Sequence, residues 1–271
     1  MKLMFCSFAL GFLMFCPCVA APAATFDCVI NPSITLKIGS PVATTLKSIS
    51  VDRGDHIRKG EVIARLESTV EEADLALNEP RAANTADVMS HAAKAEFAKA
   101  EAARGEALLV GNNIPRQKVE ELETSLRVAQ ADLQIAVLNH RLAELDLERS
   151  KTLLEQKIIR SPIDGVVVQR MLGPGEYVHQ DTQIVEIAAI TPLNVEAYPP
   201  VRYFGKIKLG ATGVVQPEAL VGRSYPATVT VVDSVFDPGS GTFGIRLSMP
   251  NAGGVLPAGL RCRVTFEGDD P

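Results

Sequence analysis

Two stretches of this chain carry one pattern, and a long helical segment separates them. The first reads Gly54-Asp55-His56-Ile57-Arg58-Lys59-Gly60-Glu61-Val62-Ile63-Ala64-Arg65-Leu66. The second reads Gly175-Glu176-Tyr177-Val178-His179-Gln180-Asp181-Thr182-Gln183-Ile184-Val185-Glu186-Ile187. At a constant offset of 121 residues, Gly54 meets Gly175, Asp55 meets Glu176, Ile57 meets Val178, Ile63 meets Ile184 and Leu66 meets Ile187. Each copy reads as a short strand, a Gly-acidic turn and a second strand with alternating apolar positions. Two halves of one small β-domain on either side of a helical segment require that segment to loop out. Such a chain is built to reach across distance more than to enclose a catalytic pocket.

The intervening residues 68–157 predict a helical hairpin. Ser68-Thr69-Val70-Glu71 has the form of a capping box, in which the Ser hydroxyl takes the amide of Glu71 and the Glu carboxylate reaches back. Pro80 predicts a break or kink, because its ring removes one hydrogen bond and displaces the preceding turn. Val110-Gly111-Asn112-Asn113-Ile114-Pro115 predicts a stop and restart, with Gly111 as a left-handed C-cap and Pro115 at an early helical position. On the second arm Val119, Leu122, Leu126, Ala129, Leu133, Ala136, His140, Ala143 and Leu147 alternate spacings of three and four, which makes a heptad seam. The first arm has a weaker row at Met89, Ala93, Glu96, Ala100, Ala103, Ala107 and Val110. Arms of this size, at about 1.5 Å per residue, reach roughly 60 Å. The seam would also serve a plain self-associating coiled coil, but the Gly-Asn-Asn break and the flanking strands favour a hairpin within one chain.

Composition excludes several classes. With 46% apolar and 22% charged residues the chain has the make-up of a folded globular protein. A net charge of −5 with scattered Lys and Arg leaves no nucleic-acid footprint, and 5% aromatics with no Trp leave no base-stacking platform. Met1-Lys2, an uncharged apolar run over residues 3–19 and Ala21-Pro22-Ala23 form an export signal, with cleavage expected after Ala23 and a retained anchor as the other reading. Cys16 and Cys18 are not expected to carry lipid, since bulky Phe15 and Pro17 stand where a small residue is needed. Cys28 and Cys262 are left in the exported chain, either as a disulfide or as two small buried hydrophobes. His56, His91, His140 and His179 have no metal-ligand spacing, and His140 is expected to hydrogen-bond across the hairpin at the edge of its seam. No nucleophile, phosphate-binding or paired-carboxylate motif stands out, so neither a catalytic site, a metal site nor a cofactor is expected.

The remaining residues are strand-like. Residues 26–51 have β-branched positions punctuated by Pro32 and Pro41. Residues 193–266 hold short alternating runs between turns at Pro199-Pro200, Gly210, Gly222, Asp237-Pro238-Gly239 and Asn251-Ala252-Gly253-Gly254. Such spacing predicts a small antiparallel barrel or sandwich whose first strand comes from residues 29–38.

At this point the sequence resembles the HlyD-type periplasmic adaptors, or membrane fusion proteins. The split half-motifs resemble that family's lipoyl-like domain, with turn positions Gly54, Asp55, Gly60, Gly175 and Glu176. Ile159-Arg160-Ser161-Pro162-Ile163-Asp164-Gly165-Val166-Val167 resembles the stretch that re-enters that domain. Asp237-Pro238-Gly239-Ser240-Gly241-Thr242 and Leu256-Pro257-Ala258-Gly259-Leu260 resemble turns of the adaptor barrel. The resemblance implies an elongated α+β fold, with a long antiparallel coiled-coil hairpin inserted in a split lipoyl-like domain, plus a small antiparallel β-barrel. Its expected parts are a signal at 1–23, the first barrel strands at 24–47, lipoyl-like halves at 48–67 and 158–190, the hairpin at 68–157, the barrel at 191–268 and a tail at 269–271.

The function implied is that of a non-enzymatic adaptor. It would link an inner-membrane transporter of the RND or ABC class to a TolC-like outer-membrane channel, acting as a homo-oligomer in a ring of six in the periplasm. In efflux members the hairpin tip carries an Arg, a Leu four residues on and a Ser seven further. Arg104 and Leu108 match, and Pro115 stands in place of the Ser. Little precedes Val29 or follows Phe266, so transporter docking is expected to fall to the barrel rather than to a membrane-proximal domain. An adaptor of protein secretion is the alternative in the same architecture. A lipoyl or biotinyl carrier would need a Lys at a tight turn joining the halves, which this chain does not have.

Overall fold

The computed structural model describes residues 24–219 and 222–266; the expected signal and tail lie outside them. In chain order the first elements are β1 (Ala24–Gly39), β2 (Thr44–Ile49), β3 (His56–Ile57) and β4 (Val62–Leu66). The helices α1 (Thr69–Ala83), α2 (Ala86–Val110) and α3 (Arg116–Glu155) follow. Then come β5 (Ile158–Arg160), β6 (Gly165–Arg170), β7 (Tyr177–Val178), β8 (Gln183–Ala197), β9 (Thr212–Pro217), β10 (Tyr225–Asp237), β11 (Thr242–Met249) and β12 (Leu260–Phe266). The chain divides into two units, one of residues 35–188 and one formed by the flanking segments, so the boundaries fall inside β1 and β8.

In the first unit the two repeat halves interleave. Strand β2 pairs with β4 from its own half and with β7 from the other, while β3 pairs with β6 and β4 with β5. The contacts repeat at the same offset as the sequence. Gly54 N donates to Val167 O at 2.9 Å and Val167 N to Asp55 O at 2.9 Å; Gly175 N donates to Leu46 O at 2.7 Å and Leu46 N to Glu176 O at 2.8 Å. Leu46, Ile63, Val178, Ile184 and Ile187 share one core at 0% exposure. Strand β2 therefore belongs here, and the expected boundary at 47/48 moves upstream. Residues on either side of the division inside β1 look alike as strand, so composition gave no sign of it.

The helices depart from the same unit. The capping box does not form: the Ser68 hydroxyl donates to Glu72 Oε1 at 2.7 Å and not to a backbone amide. Ser68 has ψ of 12°, away from the extended cap geometry, and the orphan amide of Thr69 goes instead to Glu67 Oε1 at 3.1 Å. Glu71 has a stronger partner in Lys157 Nζ at 3.0 Å, which ties the start of α1 to the chain leaving α3. The two side chains are only 21% and 12% exposed. Lys157→Ala, which strands a largely buried carboxylate, is expected to cost about 1–3 kcal/mol in urea unfolding. A shift below about 0.5 kcal/mol would place the pair with ordinary surface pairs.

Pro80 lies inside α1, and the helix ends at Asn84 before α2 starts. Helix α3 runs 40 residues, or roughly 60 Å. Its least exposed residues coincide with the seam read from spacing, from Val119 through Ala136 to Leu147, and the seam continues to Ser150. On α2 the expected row is displaced. Met89, Ala93, Glu96, Ala100, Ala103, Ala107 and Val110 are all exposed, and Ala95, Ala98, Ala102 and Gly105 are buried instead. An Ala-rich helix offers little apolar contrast, so its facing is set by fit to α3. At Gly105 a Cβ would stand 2.7 Å from Leu122 Cδ1, so the two helices pack tightly there.

The second unit is a cycle of six strands. The order β1-β12-β9-β10-β11-β8 returns to its start through a β1–β8 pairing. Alternation along β1 buries Phe26, Cys28 and Ile30, and the core adds Leu193, Val215, Leu247, Met249 and Val264. Buried Asn251 satisfies its whole amide: Nδ2 donates to Ile190 O and Leu256 O, and Oδ1 accepts from Leu256 N. It pins the turn before β12 to β8.

Candidate functional site

The far end of the helical arm is the first candidate. Leu108 is 47% exposed, and the side chain of Arg104, one turn away, is 61% exposed and pairs with Glu101. Spacing of four puts Arg104 and Leu108 side by side on α2. Pro115 is exposed at the start of α3, with φ of −67° and ψ of 147°. It stands just before the helix as its N-cap residue, not within the first turn as expected. The C-cap also differs. Gly111 has φ of −85°, and Asn112, at φ 54°, takes the left-handed position. Asn tolerates that region by bonding locally, and here the Asn112 and Asn113 amides close onto Leu109 O and Leu108 O at 2.9 and 3.0 Å. A firmly folded turn thus presents Val110, at 90% exposure, beside Leu108. Val110 was assigned by spacing to the packed row; only its exposure marks it as part of the tip.

The Gly-acidic turns are the second candidate. Gly54 and Gly175 have φ of 92° and 89°, a backbone region that favours glycine. Asp55 Oδ2 accepts from Asp52 N at 2.7 Å and Glu176 Oε1 from Gly173 N at 3.1 Å, so each acid closes its own turn. Gly60, at φ 84°, donates from its amide to Ser161 O at 2.7 Å. These positions brace the fold and offer no reactive group. The repeat also extends further back than the half-motifs. Ser40-Pro41-Val42 matches Ser161-Pro162-Ile163 at the same offset, and each buried Ser hydroxyl bonds the carbonyl two residues on. A search for the longest match at fixed offset finds this pair from sequence alone.

In the six-strand unit, Cys28 and Cys262 are register partners across β1 and β12 and are joined as a disulfide. At one end of that unit Phe204, Phe236 and Phe243 pack edge to face, with centroids 4.8 and 5.4 Å from Phe204. Phe243 is buried, but Phe204 is 44% and Phe236 38% exposed, which leaves an apolar patch close in the chain to Arg202 and Lys206. The neighbouring Asp237 carboxylate accepts from the Ser240 hydroxyl at 2.7 Å and from Gly239 N at 2.9 Å, and these bonds hold it below the usual aspartate range. Separately, His91 and His140 line a cavity of about 280 Å³ between the helices. His140 does not bond across the hairpin: its Nε2 lies 3.7 Å from Glu144 on its own helix, and its Nδ1 is buried without a protein partner. Among the described residues no group of three or more His, Cys, Asp or Glu is arranged to hold a metal ion. Nor is any described helix long and apolar enough to cross a membrane.

Residues 35–189 match the CzcB-like, barrel-sandwich hybrid domain, a span that nearly coincides with the unit holding the interleaved halves and the helices. The chain belongs to the CzcB-like membrane fusion family. Among curated relatives, the nodulation protein NolF of Rhizobium meliloti is 26% identical over 85% of this chain and 59% of its own length. The nickel-cobalt-cadmium resistance protein NccB of Alcaligenes xylosoxydans xylosoxydans is 26% identical over 75% of this chain and 48% of its own. The chain spans about half the length of the curated relatives it matches. Among solved structures, MacA from Actinobacillus actinomycetemcomitans superposes with a TM-score of 0.74 at 19% identity, over 91% of this chain and 79% of that one. The fold is thus the mixed α and β arrangement of MacA. Both Gly-acidic turns and the tip residues Arg104, Leu108 and Pro115 lie inside the CzcB-like span.

Proposed function

We propose that this protein is the periplasmic adaptor of a tripartite efflux pump and catalyses no reaction itself. The helices act as a coiled-coil arm on a lipoyl-like base, and the six-strand unit acts as the adaptor barrel. The arm tip meets a TolC-like outer-membrane channel, and the barrel meets an inner-membrane transporter of the RND or ABC class. Protomers stand side by side in a ring, of six by analogy with the family, in the periplasm. The transporter supplies the energy and the adaptor passes on its conformational change.

The observation that carries this reading is the tip. It is a well-formed turn with Leu108 and Val110 turned outward, at the end of an arm far longer than its core requires. The aromatic patch of Phe204 and Phe236 suits the second contact, and relatives named for divalent-metal resistance make such cations a cargo class to try first. Photo-crosslinkers at Leu108 and at Phe236, introduced in the native host, test the reading. Leu108 is expected to capture an outer-membrane channel and Phe236 an inner-membrane transporter. Arg104→Glu and Leu108→Asp are expected to abolish the first capture and transport, with unfolding curves unchanged because both side chains face solvent. Captures that contain no envelope transport component at either position would refute the adaptor role.

A further inference from the structure

The disulfide of the six-strand unit lies near both ends of the described chain. Strand β1 is the piece that closes that unit, pairing with β12 on one side and with β8 on the other. Its removal would leave both neighbours with a bare edge and would take Phe26, Cys28 and Ile30 out of the core. The ladder from β1 to β12 runs from Ala24 opposite Phe266 to Ile30 opposite Leu260. Cys28 sits inside this ladder opposite Cys262, with Cα atoms 4.8 Å apart. A disulfide spans that separation without backbone movement.

The bond closes a very long loop. The two cysteines are 234 residues apart. The entropy an unfolded loop loses on closure grows with its length, so this link restrains the unfolded chain strongly. The bond is also hidden. Cys28 is 4% and Cys262 1% exposed, in one core with Phe26, Ile30 and Val264. Neither an oxidant nor a reductant in solution reaches the sulfurs while β1 stays in place. The bond is therefore made while the seam between β1 and β12 is open, and the strand it holds then shields it. The other cysteines, Cys6, Cys16 and Cys18, all lie in the segment read as the export signal, so the pairing has one outcome once that segment is gone.

We propose that Cys28–Cys262 is a lock on β1, installed by a thiol-oxidising enzyme of the compartment to which the chain is exported. The chemistry requires a dithiol–disulfide oxidoreductase. One cysteine thiolate attacks a sulfur of the enzyme's disulfide, forming a mixed disulfide and releasing one enzyme thiolate. The other cysteine attacks its partner's sulfur in that mixed disulfide, which makes Cys28–Cys262 and frees the second enzyme thiolate. The two electrons and two protons of the cysteines end on the enzyme as its dithiol. The lock goes beyond the adaptor reading and needs only export to an oxidising compartment.

Thiol labelling of the full chain from its native host tests the lock. After acid quenching, denatured protein treated with a polyethylene-glycol maleimide is expected to gain two more adducts when reduced first. Equal numbers with and without reduction would mean two free thiols and overturn the proposal. In a host lacking its envelope thiol oxidase the difference is expected to vanish; a bond formed equally well there would overturn the enzyme's part. Dithiothreitol is expected to open the bond at least about a hundredfold more slowly in native buffer than in denaturing urea. Equal rates would show that β1 does not shield it. Cys28→Ala with Cys262→Ala is expected to lower the urea midpoint by roughly 1–2 M. A parental midpoint would show that the bond does not hold the strand. Should this variant not fold, labelling and reduction of the parent protein still decide. None of these readouts depends on what is captured at Leu108 or Phe236.

Discussion

Leu46→Ala is expected to destabilise the interleaved unit by about 2–5 kcal/mol, read as a lowered urea midpoint with unchanged slope. Leu46 is at 0% exposure in the shared core, and its backbone exchanges hydrogen bonds with Gly175 and Glu176 of the other half. The substitution leaves those bonds and removes the side chain that both halves pack around. Its counterpart at the repeat offset, Val167, makes the same backbone exchange with Gly54 and Asp55. Val167→Ala should therefore cost in the same direction and by less, because fewer atoms leave the core. A Leu46→Ala variant within about 0.5 kcal/mol of the parent would mean that the halves do not depend on one core.

Gly165→Val should be as damaging, by about 3 kcal/mol, for a different reason. A Cβ at this position would lie 2.4 Å from Ala188 O and 2.9 Å from Ala188 C, and both are backbone atoms. Strands β6 and β8 are paired there, Val166 with Ala188, so the obstructing carbonyl cannot turn aside without breaking the ladder. Gly105→Ala provides the comparison. Its close neighbour is the far end of the Leu122 side chain, which can change rotamer, so the cost should be markedly smaller. Equal midpoints for the two variants would show that β6 yields more readily than the pairing implies.

How much of this was legible in the residues depended on how sharply each signal contrasted with its surroundings. The α3 seam was legible because large apolar side chains alternate with charges, and spacing alone then places the buried face. The α2 facing was not, because alanine fills both its inner and its outer rows and only contact with Leu122 selects between them. The tip triplet could be placed on the chain, but the local backbone could not. Gly111 was the natural left-handed cap, yet Asn112 took that conformation and left Pro115 outside the helix. The capping box failed because a neighbour distant in sequence, Lys157, competed for Glu71. Pairwise rules within four residues cannot see such a competitor. The division inside β1 was hidden for a related reason, since one continuous strand serves two cores.

Strand β1 lies against β12, with Ala24 opposite Phe266, and β2 lies against β7 beyond the helices. Strand β2 has β4 beside it early, but neither β1 nor β2 is fully paired until segments beyond the helices have emerged. The helices, whose contacts are local, can form within microseconds, but the sheets must wait for distant segments. The folding chain therefore passes through an interval with helices made and strand edges bare. Shielding those edges until the last strand arrives is a demand that this topology places on the compartment where it matures.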